Sequence, residues 1–275
     1  MSNFPMGSPI VVEGMGLHTA TTASVILAVS PGDVRVRVGG VESAVRDLTV
    51  VASSWCTTVA PEGGGFRLAT VEHLLAALAG LGLYAGVSVG VDGTELPILD
   101  GGSLAWCNAL TELRAPHTGP RTRIVRHGIV EIGTSRYEFE PFDGIDVEVV
   151  LEFSDDRLAP TARWEGDEAD FRGRIAPART FALERDIGTI LGLGLARHVP
   201  PESALIIRRD RIEVSGRPFA PDEPARHKLL DFIGDLYLIG GPPFGRVRAV
   251  RPGHAANAGA LRCARADGVI VDVRS

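Results

Sequence analysis

His227 and Asp231 stand four residues apart in HKLLDFIGDLYL, residues 227–238. On a helix that spacing makes them neighbours on one face. An imidazole and a carboxylate so placed supply two of the three protein ligands that a zinc-type site uses when its fourth place is left open for water. The third ligand has to come from elsewhere in the chain. The best candidate is His73 in TVEHLLAALAG, residues 70–80, where Glu72 and His73 begin an otherwise Leu/Ala helix. The positive end of the helix dipole disfavours imidazolium there and keeps His73 able to ligate, with Thr70 expected to cap the helix. Glu72 is then placed to reach the activated water without itself being a ligand. In RPGHAANAGAL, from Arg251, His254 follows Gly253 at the mouth of another helix. Paired with a carboxylate such as Asp235, it gains a raised pKa and can hold a proton for delivery.

Each of these signals has a plainer reading: a solvated helix face, an exposed first turn, a loop histidine. Lys228 tips the balance. It is the only lysine among the 28 basic side chains, the rest being arginine. A position that escapes so strong an arginine bias calls for a compact ammonium whose pKa responds to its surroundings. At about 100° per residue, Lys228 shares one polar stripe with His227, Asp231 and Asp235, while Leu229, Leu230, Phe232, Ile233, Leu236 and Tyr237 cover the rest of the helix.

The elements that must position these groups follow from patterning. With 275 residues, 45% of them hydrophobic, the chain can bury a large core in two medium domains. Short strands (PIVVEG, TASVILAV, VRVRV) lead to a helix near Val71–Ala79, the strand AGVSVGV and a helix near Leu104–Leu113. The 18 uncharged residues 74–91 reach the length of a membrane span. Their glycines and the change to alternating polarity instead indicate a buried helix, a turn and a strand. RAPHTGP at 114–120 marks a linker. Then come the strands TRIVRHGIVEI, RYEFEPF and IDVEVVLEF, helices near 184–192 and 226–238, the strand GRVRAVR, a helix from about His254 and the strand GVIVDV. Two successive sets of strands plus two helices predict an α+β pseudo-repeat. EGGGF at 62–66 lacks the frame of a phosphate loop and is expected to turn a hairpin.

The net charge of −6 argues against a nucleic-acid partner. Cys56, Cys107 and Cys263 form no C-x-x-C pair, which points to a reducing, cytoplasmic location, and no export signal or stable membrane insertion is expected.

Taken together, GMGLHT, TVEHLLAALAGLGL, ELPILDG, PARTFALERDIG, HKLLDFIGDLYL and PGHAANAGAL, in that order, resemble the zinc-dependent UDP-3-O-acyl-N-acetylglucosamine deacetylases of lipid A biosynthesis. The resemblance implies two similar α+β domains, 1–117 and 118–275, each a mixed sheet on two helices, facing each other across the active site. It makes His73, His227 and Asp231 ligands of zinc, with iron(II) an alternative occupant. Glu72 becomes the base, His254 the acid and Asp235 its partner, and Lys228 and Thr180 sit beside the developing oxyanion. Phe181 is implied as an aromatic wall by the sugar and His18 as a further histidine near the pocket. Residues 186–203 become an apolar passage for the acyl chain, with Ile187, Ile190, Leu191, Leu193 and Leu195 as its content, and Arg251 counts as a further substrate contact. The first domain's small insert is expected near Val34–Arg46. The implied substrate is a small molecule, an acylated UDP-amino sugar. The rivals are an amidase acting on another N-acetylated sugar nucleotide and a non-catalytic homologue.

Overall fold

A computed structural model describes residues 8–196 and 198–273. In the first half, β1 (Ile10–Met15), β2 (Thr22–Asp33), β3 (Arg35–Val38) and β4 (Val41–Ala44) precede the hairpin β5 (Leu48–Ala52) and β6 (Thr58–Pro61). Helix α1 (Glu72–Gly80), β7 (Ala85–Asp92) and α2 (Leu104–Glu112) complete it. The second half holds β8 (Thr122–Ile124), β9 (Gly128–Ile132), β10 (Ser135–Glu140), β11 (Ile145–Val150), β12 (Thr161–Trp164) and the single turn α3 (Glu168–Asp170). It continues through β13 (Thr180–Leu183), α4 (Glu184–Gly192), β14 (Ala204–Ile207), β15 (Ile212–Glu213), α5 (Glu223–Tyr237), β16 (Gly245–Val250), α6 (His254–Ala266) and β17 (Ile270–Asp272).

The fold is α+β, and the predicted repeat is present in its topology. One sheet runs β1-β2-β7-β3-β4 and the other β9-β10-β16-β11-β12. In both, the third and fourth strands pair in parallel while every other neighbour is antiparallel. Alternating burial along β10, β11 and β16 puts Tyr137, Phe139, Val147, Val149, Val247 and Ala249 on a fully buried face, the pattern of a sheet with one side on a core. Helices α1 and α5 occupy the same place in the two halves, each entering the central parallel strand. They pack against each other, which is why every residue of α1 is buried. Residue 234 has to be glycine for this contact: a Cβ there would lie 2.1 Å from the Glu72 carbonyl oxygen. The first turn of α1 is thereby laid on the middle of α5.

One expectation changes in detail. Residues 34–46, expected as a small insert, hold β3 and β4, two strands of the main sheet. EGGGF does turn the chain, between the antiparallel partners Val59 and Leu68. Among the described residues no helix is long and apolar enough to cross a membrane.

Candidate functional site

The contact between α1 and α5 brings together side chains more than 150 positions apart in the chain. Glu72 and His73 open α1, and both are buried, contrary to an exposed first turn. Thr70 does not cap this helix. It sits in the left-handed region at φ 57 and its hydroxyl donates to Glu95 at 2.8 Å. The reason is the buried Glu95 carboxylate, which also accepts from the Thr19 hydroxyl at 2.7 Å and the His18 amide at 2.9 Å. Glu95 thus ties the 18–19 loop to the approach of α1.

His73 Nδ1 lies 3.0 Å from the Gly102 carbonyl, and His227 Nδ1 lies 3.0 Å from that of Ala178. A carbonyl only accepts, so each Nδ1 carries the hydrogen and each Nε2 keeps its lone pair. Burial, with His227 nearby, pushes the His73 pKa down to about 4, and burial lowers that of His227. Both imidazoles are therefore neutral near pH 7. Asp231 Oδ1 stands 3.7 Å from His73 Nε2 and 3.4 Å from His227 Nε2, buried and accepting no hydrogen bond. Burial opposes ionisation of Asp231, but His227 and Lys228 outweigh it and hold its pKa far below the usual carboxylate range. Two neutral imidazoles and one carboxylate therefore converge with no partner among themselves. Tetrahedral bonds of about 2.0–2.2 Å to a shared cation separate donors by roughly 3.3–3.6 Å, so the set fits a divalent ion.

Around this cluster stand further titratable groups. Glu72 Oε2 accepts from the Thr57 amide at 3.0 Å, and its Oε1 is 3.9 Å from His254 Nε2. Burial raises the Glu72 pKa to about 7. His254 Nδ1 contacts Asp235 Oδ2 at 2.9 Å, and Asp235 is held in turn by Thr57 Oγ1 at 2.6 Å and Asn257 Nδ2 at 2.7 Å. Burial opposes the charge on His254, but Asp235, with Glu72 and Asp231 behind it, more than compensates and lifts its pKa to about 9. Lys228 Nζ bonds Asp231 Oδ2 at 2.6 Å. Burial disfavours its charge, yet the Asp231 carboxylate outweighs that and raises the pKa. A carboxyl with its pKa near 7, a charged imidazolium and an ammonium therefore surround this cluster.

Residues 5–264 match the family model described as UDP-3-O-acyl N-acetylglycosamine deacetylase. The chain belongs to this deacetylase family. It is similar to the UDP-3-O-acyl-N-acetylglucosamine deacetylase of Anaeromyxobacter dehalogenans, at 36% identity over 92% of this chain and 84% of that protein. The protein of the same name from Phenylobacterium zucineum is 33% identical over 93% and 90%. That of Brucella melitensis is 31% identical over 95% and 94%.

In the structure of this deacetylase the remaining sequence candidates differ in how directly they meet this cluster. Phe181 on β13 meets the His227 ring edge-on at 6.1 Å between centroids. The half-buried Thr180 precedes it, its amide donating to the Gly101 carbonyl at 2.8 Å. His18, on the loop held by Glu95, has its pKa lowered by burial and senses the charge of His254. Ile187 and Ile190 on α4 are half-buried and Leu191 and Leu193 exposed, so this helix is not ordinary core; it packs on β13. Arg251 is not drawn into the cluster: its guanidinium bonds the Thr134 carbonyl and Glu152, both at 2.8 Å. Sequence reasoning missed Thr57 and Asn257. Asn257 had a readable signal, lying three residues after His254 on the same helix face, whereas Thr57 reaches Asp235 only through the tertiary fold.

Proposed function

We propose that this chain hydrolyses the acetamide of UDP-3-O-acyl-N-acetylglucosamine, a step of lipid A biosynthesis, to acetate and the free amine. The observation that carries this reading is the convergence of His73, His227 and Asp231 beside Glu72 and His254. His73, His227 and Asp231 hold the cation: zinc suits two neutral imidazoles and a carboxylate, and iron(II) is the alternative. When bound, the ion supplies Lewis acidity and brings the pKa of water toward about 7.

The chain's own groups handle the rest. Glu72, with its pKa near 7, takes a proton from the water that attacks the acetyl carbonyl carbon. The charge that builds on the carbonyl oxygen is met by Lys228 and the Thr180 hydroxyl; one such donor is typically worth about 3–4 kcal/mol. His254, kept protonated by Asp235, gives its proton to the nitrogen as the C–N bond breaks. Phe181 bounds the sugar, His18 lies by the pocket, and the partly exposed apolar side chains of α4, Ile187 and Leu191 among them, accommodate the acyl chain. The substrate is a small molecule, with neither nucleic acid nor a membrane span involved, and the free cysteines favour a cytoplasmic setting.

The test is metal analysis of protein purified without added ions, joined to an acetate-release assay on a panel of N-acetylated sugar nucleotides. One bound zinc or iron and turnover confined to the 3-O-acylated UDP sugar are expected. A metal-free active protein, or equal turnover of sugars lacking the acyl chain, overturns the reading.

A further inference from the structure

The two imidazoles owe their orientation to the carbonyls of Gly102 and Ala178, and these lie on two segments laced together. The Ser103 amide donates to the Ala176 carbonyl at 2.7 Å, the Thr180 amide to that of Gly101 at 2.8 Å, and the Ser103 hydroxyl to that of His73 at 2.7 Å. Residues 101–103 and 176–180 thus form one frame carrying both acceptors, together with Thr180.

What fixes that frame to α5 is a pair with no part in the chemistry above. Arg179 is fully buried, and Glu223, in the first turn of α5, is 2% exposed. Arg179 Nε and Nη2 grip the two oxygens of Glu223 at 2.8 and 3.0 Å, and the Arg179 amide donates to Glu223 Oε1 at 3.1 Å. The remaining guanidinium donors reach the carbonyls of Ser215, Arg217 and Pro218 at 2.9, 3.2 and 3.4 Å. Glu223 lies four residues before His227, one turn away on the same face. Its partner Arg179 is the residue next to the Ala178 carbonyl that His227 meets. A buried ion pair is weak evidence for stability but well suited to fixing register, and a planar fork fixes it more tightly than an ammonium can.

We propose that the Arg179–Glu223 pair is a positioning element: it locks the 101–103/176–180 frame to α5 and so sets the ring orientation of His73 and His227. The inference rests on the reading of those residues as cation ligands.

Zinc affinity of the full chain, measured by competition with a chromophoric chelator, and the melting temperature of the cation-free protein together test it. Three variants are compared: Arg179→Lys, the apolar double variant Arg179→Met/Glu223→Leu, and Asp146→Asn. Asp146, buried on the second sheet, pairs with the half-exposed Arg163 and Arg246, outside both of these segments. Loss of a partner that orients a metal ligand typically costs about 10–100-fold in affinity. That loss is expected in Arg179→Lys and in the double variant, with a matching fall in kcat and little change in KM. Asp146→Asn is expected to lower the melting temperature and leave zinc affinity as in the wild type. Wild-type affinity in a folded Arg179→Lys overturns the proposal, as does an equal loss in Asp146→Asn. Failure of both Arg179 variants to fold assigns the pair to stability and also overturns it. A wild-type chain that takes up no zinc removes the reading of the site, and this inference with it.

Discussion

Asp235→Asn isolates the group that keeps His254 charged. The substitution is nearly isosteric: the amide oxygen can still accept from His254 and Asn257, and the amide nitrogen can face the Thr57 hydroxyl, now acting as acceptor. What disappears is one negative charge 2.9 Å from His254 Nδ1. The pKa of His254 is raised from 6.5 to about 9 against the opposing effect of burial, with Asp235 the largest raising influence and Glu72 and Asp231 behind it. At about 1.4 kcal/mol per unit, that displacement favours the imidazolium by roughly 3 kcal/mol. Without Asp235, the pKa falls back toward the ordinary 6.5, burial then being opposed only by Glu72 and Asp231. At pH 8 the protonated fraction then falls from about 90% to about 3%, whereas at pH 6 most of the histidine stays protonated in both proteins. The expected result is a kcat/KM near wild type at pH 6 and about 30-fold lower at pH 8, as the alkaline limb moves down by two units or more. Stability carries the same signature. A folded-state pKa above the unfolded value stabilises fully below pH 6.5 and is lost as pH rises through about 9. The cation-free wild type should therefore lose melting temperature across that window while the variant stays nearly flat. An alkaline limb that coincides with that of the wild type would refute the assignment of His254 as the proton donor tuned by Asp235.

Lys228→Arg keeps the charge but replaces a compact ammonium 2.6 Å from Asp231 with a wider fork; kcat is expected to fall by about 10–100-fold with zinc retained, and an unchanged rate removes the role given to the ammonium. His254→Ala should hold zinc at wild-type stoichiometry with kcat reduced by at least about 10²-fold; loss of the metal would make His254 a ligand. Gly234→Ala places a Cβ 2.1 Å from the Glu72 carbonyl oxygen and must push α1 off α5. It should cost about 3 kcal/mol or more by chemical denaturation and weaken zinc binding, because His73 sits on one helix and His227 and Asp231 on the other.

The residues that the fold gathers into the candidate site were readable because each belongs to a short local pattern: H-x-x-x-D on one helix, E-H at the start of another, P-G-H at the mouth of a third. The class and the repeat were readable from periodicity. What escaped is what joins distant segments. Thr70 has the right residue type and position for a cap, yet Glu95, 25 positions away, takes its hydroxyl and accompanies it into a left-handed backbone. No local propensity encodes that exchange. Residues 34–46 look like a small insert until β3 is seen in parallel register with β7, 53 positions further on. Arg179 likewise reads as one arginine among many, and only burial against Glu223 distinguishes it.

The duplicated topology also accounts for where the site lies. His73 precedes Gly80 by seven residues on α1, and His227 precedes Gly234 by seven on α5. Both glycines mark close approaches: a Cβ on Gly80 would meet the Phe171 ring at 2.1 Å, and one on Gly234 the Glu72 carbonyl oxygen at 2.1 Å. The two imidazoles are therefore counterparts on equivalent helices, brought to a 5.2 Å ring separation by the same face-to-face packing that buries both helices. Two like ligands alone make a symmetric and incomplete cradle. The chain breaks the symmetry four residues after each histidine, where α1 carries Ala77 and α5 carries Asp231. It breaks it again one residue before, where α1 has Glu72 and α5 has Arg226, whose guanidinium turns away to pair with Asp222. The duplicated helices thus supply the two neutral nitrogens, differences between them supply the Asp231 carboxylate and the proposed base Glu72, and the proposed acid His254 comes from α6, which is how a nearly symmetric scaffold would gain a reaction direction.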